Sequence, residues 1–349
     1  MNLNIHEQLD PVFETLGLLY VSSHMVHHRQ HMIDELGRFG VDGEAFYTKH
    51  LKTVDKYLNT FRKHRVDHES DSFFFKDEDT TFFTLLLRLL CENRSWLSGL
   101  ETAAEDLIRQ ELLKVLFDEQ KKEDDIPGEA VLAEILTLED IIAFLGGCSY
   151  EEGIKWKLMA LLQHPHKQIA ALIAAVNNNI HAFEKARQEV EKPLRRLISA
   201  YVQSIRSNGD QPFVKVVEIF AHDASIYPAL IMPLGQSIYT TQGHYGLFVD
   251  CLPLNGKNPA DSREHLLLLL KALADNSKLQ ILASLKLSPK YNLEIAEHLG
   301  LSAATVSHHM NVLLTCGMVS IDKQNGKVYY HLDTANLELL IEELERYLL

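Results

Sequence analysis

The chain has 349 residues, 46% of them hydrophobic, with 34 basic and 48 acidic side chains and a formal net charge of −14. That length excludes a single small domain, and the apolar content is ample for a core, so two or three domains are expected. The acidity excludes a chain that is basic throughout, and any contact with nucleic acid has to come from a local patch.

The opening MNLNIHEQLDP has no basic start followed by an apolar stretch, so no leader peptide is expected. Periodicity then predicts helix through most of the first 210 residues. Leu18, Val21 and Met25 open one helix, Leu51, Val54, Leu58 and Phe61 mark another, and Phe82, Leu85, Leu86 and Leu89 a third. Leu107, Leu112, Leu113 and Leu116 continue the pattern, followed by helices over Ile141 to Phe144, Trp156 to Leu162, and Ile169 to Val190, the last broken before Pro193. A helical bundle is the natural packing. His164 and His166, on either side of Pro165, read as a helix boundary.

From Phe213 to Cys251 the pattern changes to short β-rich runs, VKVVEIF, ALIMPLGQSIY and HYGLFVDCL, bounded by Gly, Pro and Asp. A small sheet is expected there, and MNLNI at the start can add a strand to it. LPLNGKNPADS, residues 252 to 262, carries Asn-Gly and two prolines and reads as a linker. The expected organisation is a mainly helical sensor/effector domain over residues 1–210, a β-rich segment over 211–258 packing with it, and a separate domain over 262–349.

Two polar constellations precede the last domain. His24, His27, His28 and His31 share one helical segment, and His24 with His28 or His28 with His31 has the spacing to share a metal ion. No nearby Asp or Cys apart from Asp34 completes a shell, so a solvated polar helix face is the preferred reading and no metal site is assigned. His222, Asp223 and Ser225 are the residue types of a hydrolase triad, but neighbours on one strand point in different directions and no G-x-S-x-G elbow exists. No Walker A or dinucleotide glycine motif appears, so no catalytic residue, no cofactor and no enzyme activity are expected. Cys91, Cys148, Cys251 and Cys316 stand far apart without CxxC spacing, which favours reduced thiols in core positions of a cytoplasmic protein.

The last domain opens with Leu266 to Leu270, an unbroken leucine run that ends at Lys271, too short to cross a bilayer. A helix apolar all round has to be buried on more than one side. Asn292 can cap a helix with Leu293, Ala296 and Leu299 on its inner face, and Gly300 can end it with a positive φ. Ser302 is a good N-cap for the next helix, whose Val306, Met310 and Leu313 form one buried stripe. Ala304, His308, Asn311 and Thr315 fall opposite that stripe, with Ala303, Thr305 and Ser307 on the flanks near its start. A helix entering a major groove needs little bulk at its N-terminal end and a few donors and acceptors for base edges, and Asn suits adenine.

After Gly317, Met318, Val319 and Ile321 alternate into Lys323, and Asn325-Gly326 precedes Lys327 and the run Val328, Tyr330, Leu332. Asn-Gly between alternating strands is a strong hairpin signal because the turn needs positive φ at both central positions. Lys323 and Lys327 then sit at the tip, where ammonium groups reach phosphates without reading sequence. The final helix puts Leu337, Leu340, Ile341, Leu344 and Leu348 on one face, with Leu339, Tyr347 and Leu349 outside it. Helix, turn, helix and hairpin in this order make a winged helix-turn-helix, and the whole chain reads as α+β, mainly α: an N-terminal helical domain with a small β-sheet, then a C-terminal winged helix-turn-helix domain.

Leu273, Ala274, Asp275, Asn276, Ser277 and Lys278 match a Leu-Ala-Asp-x-x-Arg-like opening. Leu301, Ser302, Ala303, Ala304, Thr305, Val306, Ser307, His308, His309 and Met310 match a Leu-Ser-x-x-Thr-Val-Ser-x-His-Leu helix. On these motifs residues 262 to 349 resemble the DNA-binding domain of the ArsR (arsenic-repressor) family. The resemblance implies a homodimeric repressor that binds a double-stranded DNA operator and leaves it when an effector binds. It makes Ser302, Ala303, Ala304, Thr305, Ser307, His308 and Asn311 the expected reading residues, with Lys323, Asn325 and Lys327 in the wing.

The departures are informative as well. Many metal-sensing members place Cys-x-Cys in the first helix of the motif, and Tyr291 to Ala296 holds no cysteine. Others use Asp and His on the last helix, and residues 334 to 349 contain no histidine. The effector is therefore expected to be a small molecule or a protein signal acting on the N-terminal portion, with a metal-responsive repressor using His24 to His31, or a borrowed winged helix in an interaction or enzymatic module, as the alternatives. Between Lys278 and His331 stand five lysines and three acidic residues. Repulsion from acidity elsewhere is screened beyond about 8 Å at physiological salt, so this basic patch can still bind.

Overall fold

The computed structural model describes residues 3–38, 41–77, 79–120, 135, 137–148, 150–207, 213–214, 217, 224–239, 242–252, 262–301, 303–324 and 327–349. The fold is α+β, mainly α. Contacts gather the chain into two compact units, one of Leu9–His28 with Val54–Lys192, the other of Met1–Gln8, Arg29–Thr53 and Pro193–Leu349. The described helices of the N-terminal half are α1 (Pro11–Ser23), α2 (Met25–Arg38), α3 (Gly43–His50), α4 (Lys52–His64), α5 (Asp71–Phe75), α6 (Thr81–Glu92), α7 (Trp96–Gly99) and α8 (Glu105–Gln120). They continue with α9 (Leu138–Gly146), α10 (Glu152–Gln163), α11 (Pro165–Glu189) and α12 (Glu191–Ser207).

In the first unit α1 is the central helix, and its start is fixed locally. Asp10 caps it by accepting the N–H groups of Val12 and Phe13 at 3.0 and 3.3 Å, and Pro11 occupies the first position, where a missing N–H costs nothing. Phe13, Leu16, Leu18, Leu19 and Val21 are buried on several sides against α5, α6 and α11. Glu14 is buried among them and accepts the Tyr57 hydroxyl at 2.8 Å. Burial pushes the Tyr57 hydroxyl well above its usual range, and the carboxylate beside it pushes the same way. Asn179, inside α11, accepts the Val66 N–H and donates to the Val66 carbonyl, both at 2.9 Å, which fastens the chain after α4 to α11.

Several expectations need correction here. The first predicted helix does not run through Met25, because His24 ends α1 with its N–H on the Val21 carbonyl and α2 begins afresh. The four histidines therefore do not share one helix. Leu107 is exposed while Leu112, Leu113 and Leu116 are buried, and the buried face of α8 starts at Ile108 instead. The break before Pro193 stands as expected, since α11 ends at Glu189 with Val190 as its cap, and Pro193 lies in the first turn of the next helix, α12, where its fixed φ is tolerated. The boundary at Pro165 stands as expected, between α10 and α11.

The small sheet has the order β1 (Asn4–Ile5), β2 (Ser225–Ala229), β4 (Gln242–Gly246), β3 (Gln236–Tyr239). β1 and β4 flank β2 in parallel and β3 closes the sheet antiparallel to β4, so the chain start adds a strand as its sequence allows. Phe213, Val214 and Val217 are helical, not extended as VKVVEIF led one to expect. All three are buried, and at i, i+1, i+4 they share one helical face, a spacing that a short run of valines cannot distinguish from a strand. Phe213 and Val217 lie so close to β4 that a Cβ on Gly243 would sit 3.0 Å from each. Cys251 is exposed, against the expectation of four core cysteines. The predicted linker lies, for residues 253–261, outside the described residues.

The C-terminal elements are α13 (Ser262–Leu273), α14 (Asn276–Leu287), β5 (Lys290–Tyr291), α15 (Asn292–Leu299), α16 (Ala303–Thr315), β6 (Val319–Gln324), β7 (Lys327–Leu332) and α17 (Thr334–Leu348). The strands pair in the order β5-β7-β6, all antiparallel. One apolar cluster joins Leu266 and Leu269 of α13, Ile281 and Leu285 of α14, Ile295 of α15, Val306, Met310 and Leu313 of α16, and Leu340 of α17. This is the predicted winged helix-turn-helix, with an additional helix at each end.

Candidate nucleic-acid interface

The second helix of the motif, α16, is set by its two neighbouring turns. Gly300, at φ +65°, ends α15: its N–H donates to the Glu297 carbonyl at 3.4 Å and the Leu301 N–H to the Ala296 carbonyl at 2.9 Å. Gly317, at φ +66°, ends α16 the same way, through bonds to Leu314 at 3.0 Å and from Met318 to Leu313 at 2.9 Å. Both are paired-bond left-handed caps, a conformation that costs glycine nothing and a side chain about 1 kcal/mol or more. Asn292 is not the cap of α15, as its sequence position led one to expect. Pairing of Tyr291 with Tyr329 keeps Tyr291 extended up to the helix start, so Tyr291 is the cap residue and its N–H donates to the Glu294 carboxylate at 3.1 Å.

Along α16, Val306, Met310 and Leu313 face the core as their spacing predicts, and Val312 is buried with them. Thr305 is exposed in the first turn. Ala303, Ala304, Ser307, His308 and Asn311 occupy positions of α16, and Ser302 precedes it outside the described residues, as do the side chains of those five. Lys323 stands in β6 and Lys327 in β7, their side chains likewise outside the described set. The register Gln324↔Lys327 leaves two positions between the strands, Asn325 and Gly326, which are not among the described residues. The hairpin adjoins α16 through contacts with β6.

Features that periodicity does not reveal hold this frame. Tyr291 and Tyr329 meet edge to face across β5 and β7, with centroids 5.7 Å apart. Asp275 caps α14 through the Lys278 N–H at 2.9 Å, and the Lys278 ammonium, itself buried, lies 3.6 Å from its other oxygen. Burial pushes the Asp275 carboxyl up, but the Lys278 N–H, the Lys278 charge and His309 of α16 outweigh it and hold it below its usual range. Asp275 and Lys278, which the sequence offers as part of the Leu-Ala-Asp-x-x-Arg-like opening, thus fix the start of α14.

The geometry offers little for other chemistry. Burial pushes the Cys316 thiol at the end of α16 up to about 12, against the pull of Lys278, and Cys91 likewise to about 12, so neither supplies a thiolate at neutral pH. His24 Nε2 lies 2.8 Å from the Phe75 carbonyl oxygen. Among the described residues no group of three His, Cys, Asp or Glu side chains is placed to hold a metal ion. His222 and Asp223 fall outside those residues, and Ser225 lies in β2. Among the described residues no helix is long and apolar enough to cross a membrane.

A helix-turn-helix followed by a two-stranded wing is the architecture of DNA-binding transcriptional regulators. The chain belongs to the arsR family of bacterial regulatory proteins, whose sequence profile matches residues 268–320. The arsenical resistance operon repressor of Staphylococcus aureus is 35% identical over 83 residues, 24% of this chain and 80% of its own. The transcriptional repressor SdpR of Bacillus subtilis is 34% identical over 68 residues, 20% of this chain and 76% of its own. The transcriptional activator HlyU of Vibrio cholerae is 31% identical over 94 residues, 27% of this chain and 87% of its own. No solved structure matches the chain.

Proposed function

We propose that the chain is a homodimeric, sequence-specific repressor that reads its operator with Ser302, Ala303, Ala304, Thr305, Ser307, His308 and Asn311, grips phosphates with Lys323, Asn325 and Lys327, and answers to an effector bound by the residues that precede the winged helix. The observation that carries it is α16, flanked by two glycine caps and adjoined by the hairpin, with its apolar stripe buried and Thr305 exposed. Two of the relatives named above are repressors, which favours that sign of regulation. The dimer is supported by Leu267, Ile341 and Leu348, which are 47%, 56% and 72% exposed on two helices that pack together, α13 and α17. An effector releases DNA only if it binds the released state more tightly than the bound one.

The reading is tested by selecting duplexes from a random pool with the full chain and measuring affinity against salt. His308→Ala and Asn311→Ala are each expected to lower discrimination between the selected duplex and single-base variants by about 1–3 kcal/mol. Lys323→Ala or Lys327→Ala is expected instead to weaken binding to all duplexes alike and to flatten the logarithmic salt slope by about one unit. Unchanged binding in all four variants removes the assigned interface.

A further inference from the structure

We infer that Asn336 is a positioning residue, which ties the end of the reading helix to the helix carrying the dimer face and so sets the spacing of the two reading helices. The inference rests on the dimeric DNA-binding reading above. The Gly317 carbonyl, just past α16, accepts Asn336 Nδ2 at 3.0 Å. The same nitrogen lies 3.1 Å from Asp333 Oδ2, and the Asn336 backbone N–H donates to Asp333 Oδ1 at 3.0 Å. The Asp333 N–H in turn donates to the Met318 carbonyl at 3.0 Å. The exit of α16, the entry to β6 and the first turn of α17 are therefore joined at one point.

Capping α17 does not require this arrangement. Asp333 alone satisfies the N–H of Asn336, and a side chain at the third helical position ordinarily turns back to the cap residue's own N–H. Asn336 reaches across to another element, at a glycine where a Cβ would sit 3.2 Å from its Nδ2. α17 bears the exposed Ile341 and Leu348. A two-headed reader engages both half-sites only at the separation its dimer imposes. Slack between α16 and α17 therefore costs affinity for a complete site and spares affinity for half of one.

Asn336→Asp separates this role from a structural one. The carboxylate is close in size and is favoured in the first turn of a helix, yet it has no donor for the Gly317 carbonyl. The probe is a duplex selected by the wild-type chain, compared with the same duplex carrying one scrambled half-site. The full-length variant is expected to lose about tenfold affinity on the intact duplex and less than about twofold on the scrambled one, with dimer dissociation unchanged. Asn336→Ala, which removes the amide without adding charge, is expected to show the same split, and Asn336→Gln to regain part of the loss. Equal losses on both duplexes, or no loss on the intact one, overturn the assignment. A wild-type chain that enriches no duplex overturns the DNA-binding reading instead.

Discussion

Glutamate at both Ile341 and Leu348 is expected to turn the proposed dimer into a monomer and to weaken binding to a two-half-site duplex by about 10²–10⁴-fold, the factor lost when two linked contacts become independent. Both side chains lie along one edge of α17, while the packing into the domain core is made by Leu337, Leu340 and Leu344. Charging the exposed edge therefore leaves the winged helix folded and removes only what a second copy covers. Leu267 of α13 extends the same exposed apolar character to the neighbouring helix. Sedimentation equilibrium with a binding titration on the same preparation checks the result. A variant that remains dimeric with unaltered affinity places the subunit contact elsewhere.

Asp10→Ala is expected to destabilise the helical unit by about 3–5 kcal/mol, the usual cost of breaking a buried ion pair by deleting one partner. Asp10 is almost wholly buried and its two oxygens do two jobs: one accepts the Val12 and Phe13 N–H groups and Arg94 Nη1 at 2.9 Å, and the other meets Arg94 Nη2. The alanine variant loses the cap of α1 and both bonds between the Arg94 guanidinium and the carboxylate. Arg94→Ala should cost less, because Asp10 keeps both backbone donors and Arg94 is partly exposed. Urea unfolding of the two variants gives the order directly, and a loss at Asp10 below about 1 kcal/mol contradicts the assigned role.

The winged helix was legible in the sequence because its signals are local. Gly300 and the Val306, Met310, Leu313 spacing each fix a backbone feature within a few residues, and each stands as read. Expectations failed where partners far along the chain decide. Tyr291 displaces Asn292 as the cap because β7 holds it extended, and Phe213, Val214 and Val217 turn helical, with Phe213 and Val217 against β4. Periodicity puts Ile341 and Leu348 on one apolar face with Leu337, Leu340 and Leu344 but cannot say which of the five the domain itself covers, and the cluster reaches only the last three. Asn336 gave no signal at all, since its partner is the carbonyl of Gly317, 19 residues earlier.

Selection of duplexes from a random pool with the purified chain separates a sequence-specific DNA reader from a winged helix that serves other contacts. Enrichment of an inverted repeat is predicted, its half-sites centred about 10–10.5 base pairs or a multiple apart, with binding that weakens steeply as salt rises. A pool that shows no enriched sequence, or binding indifferent to salt, contradicts the DNA-binding reading.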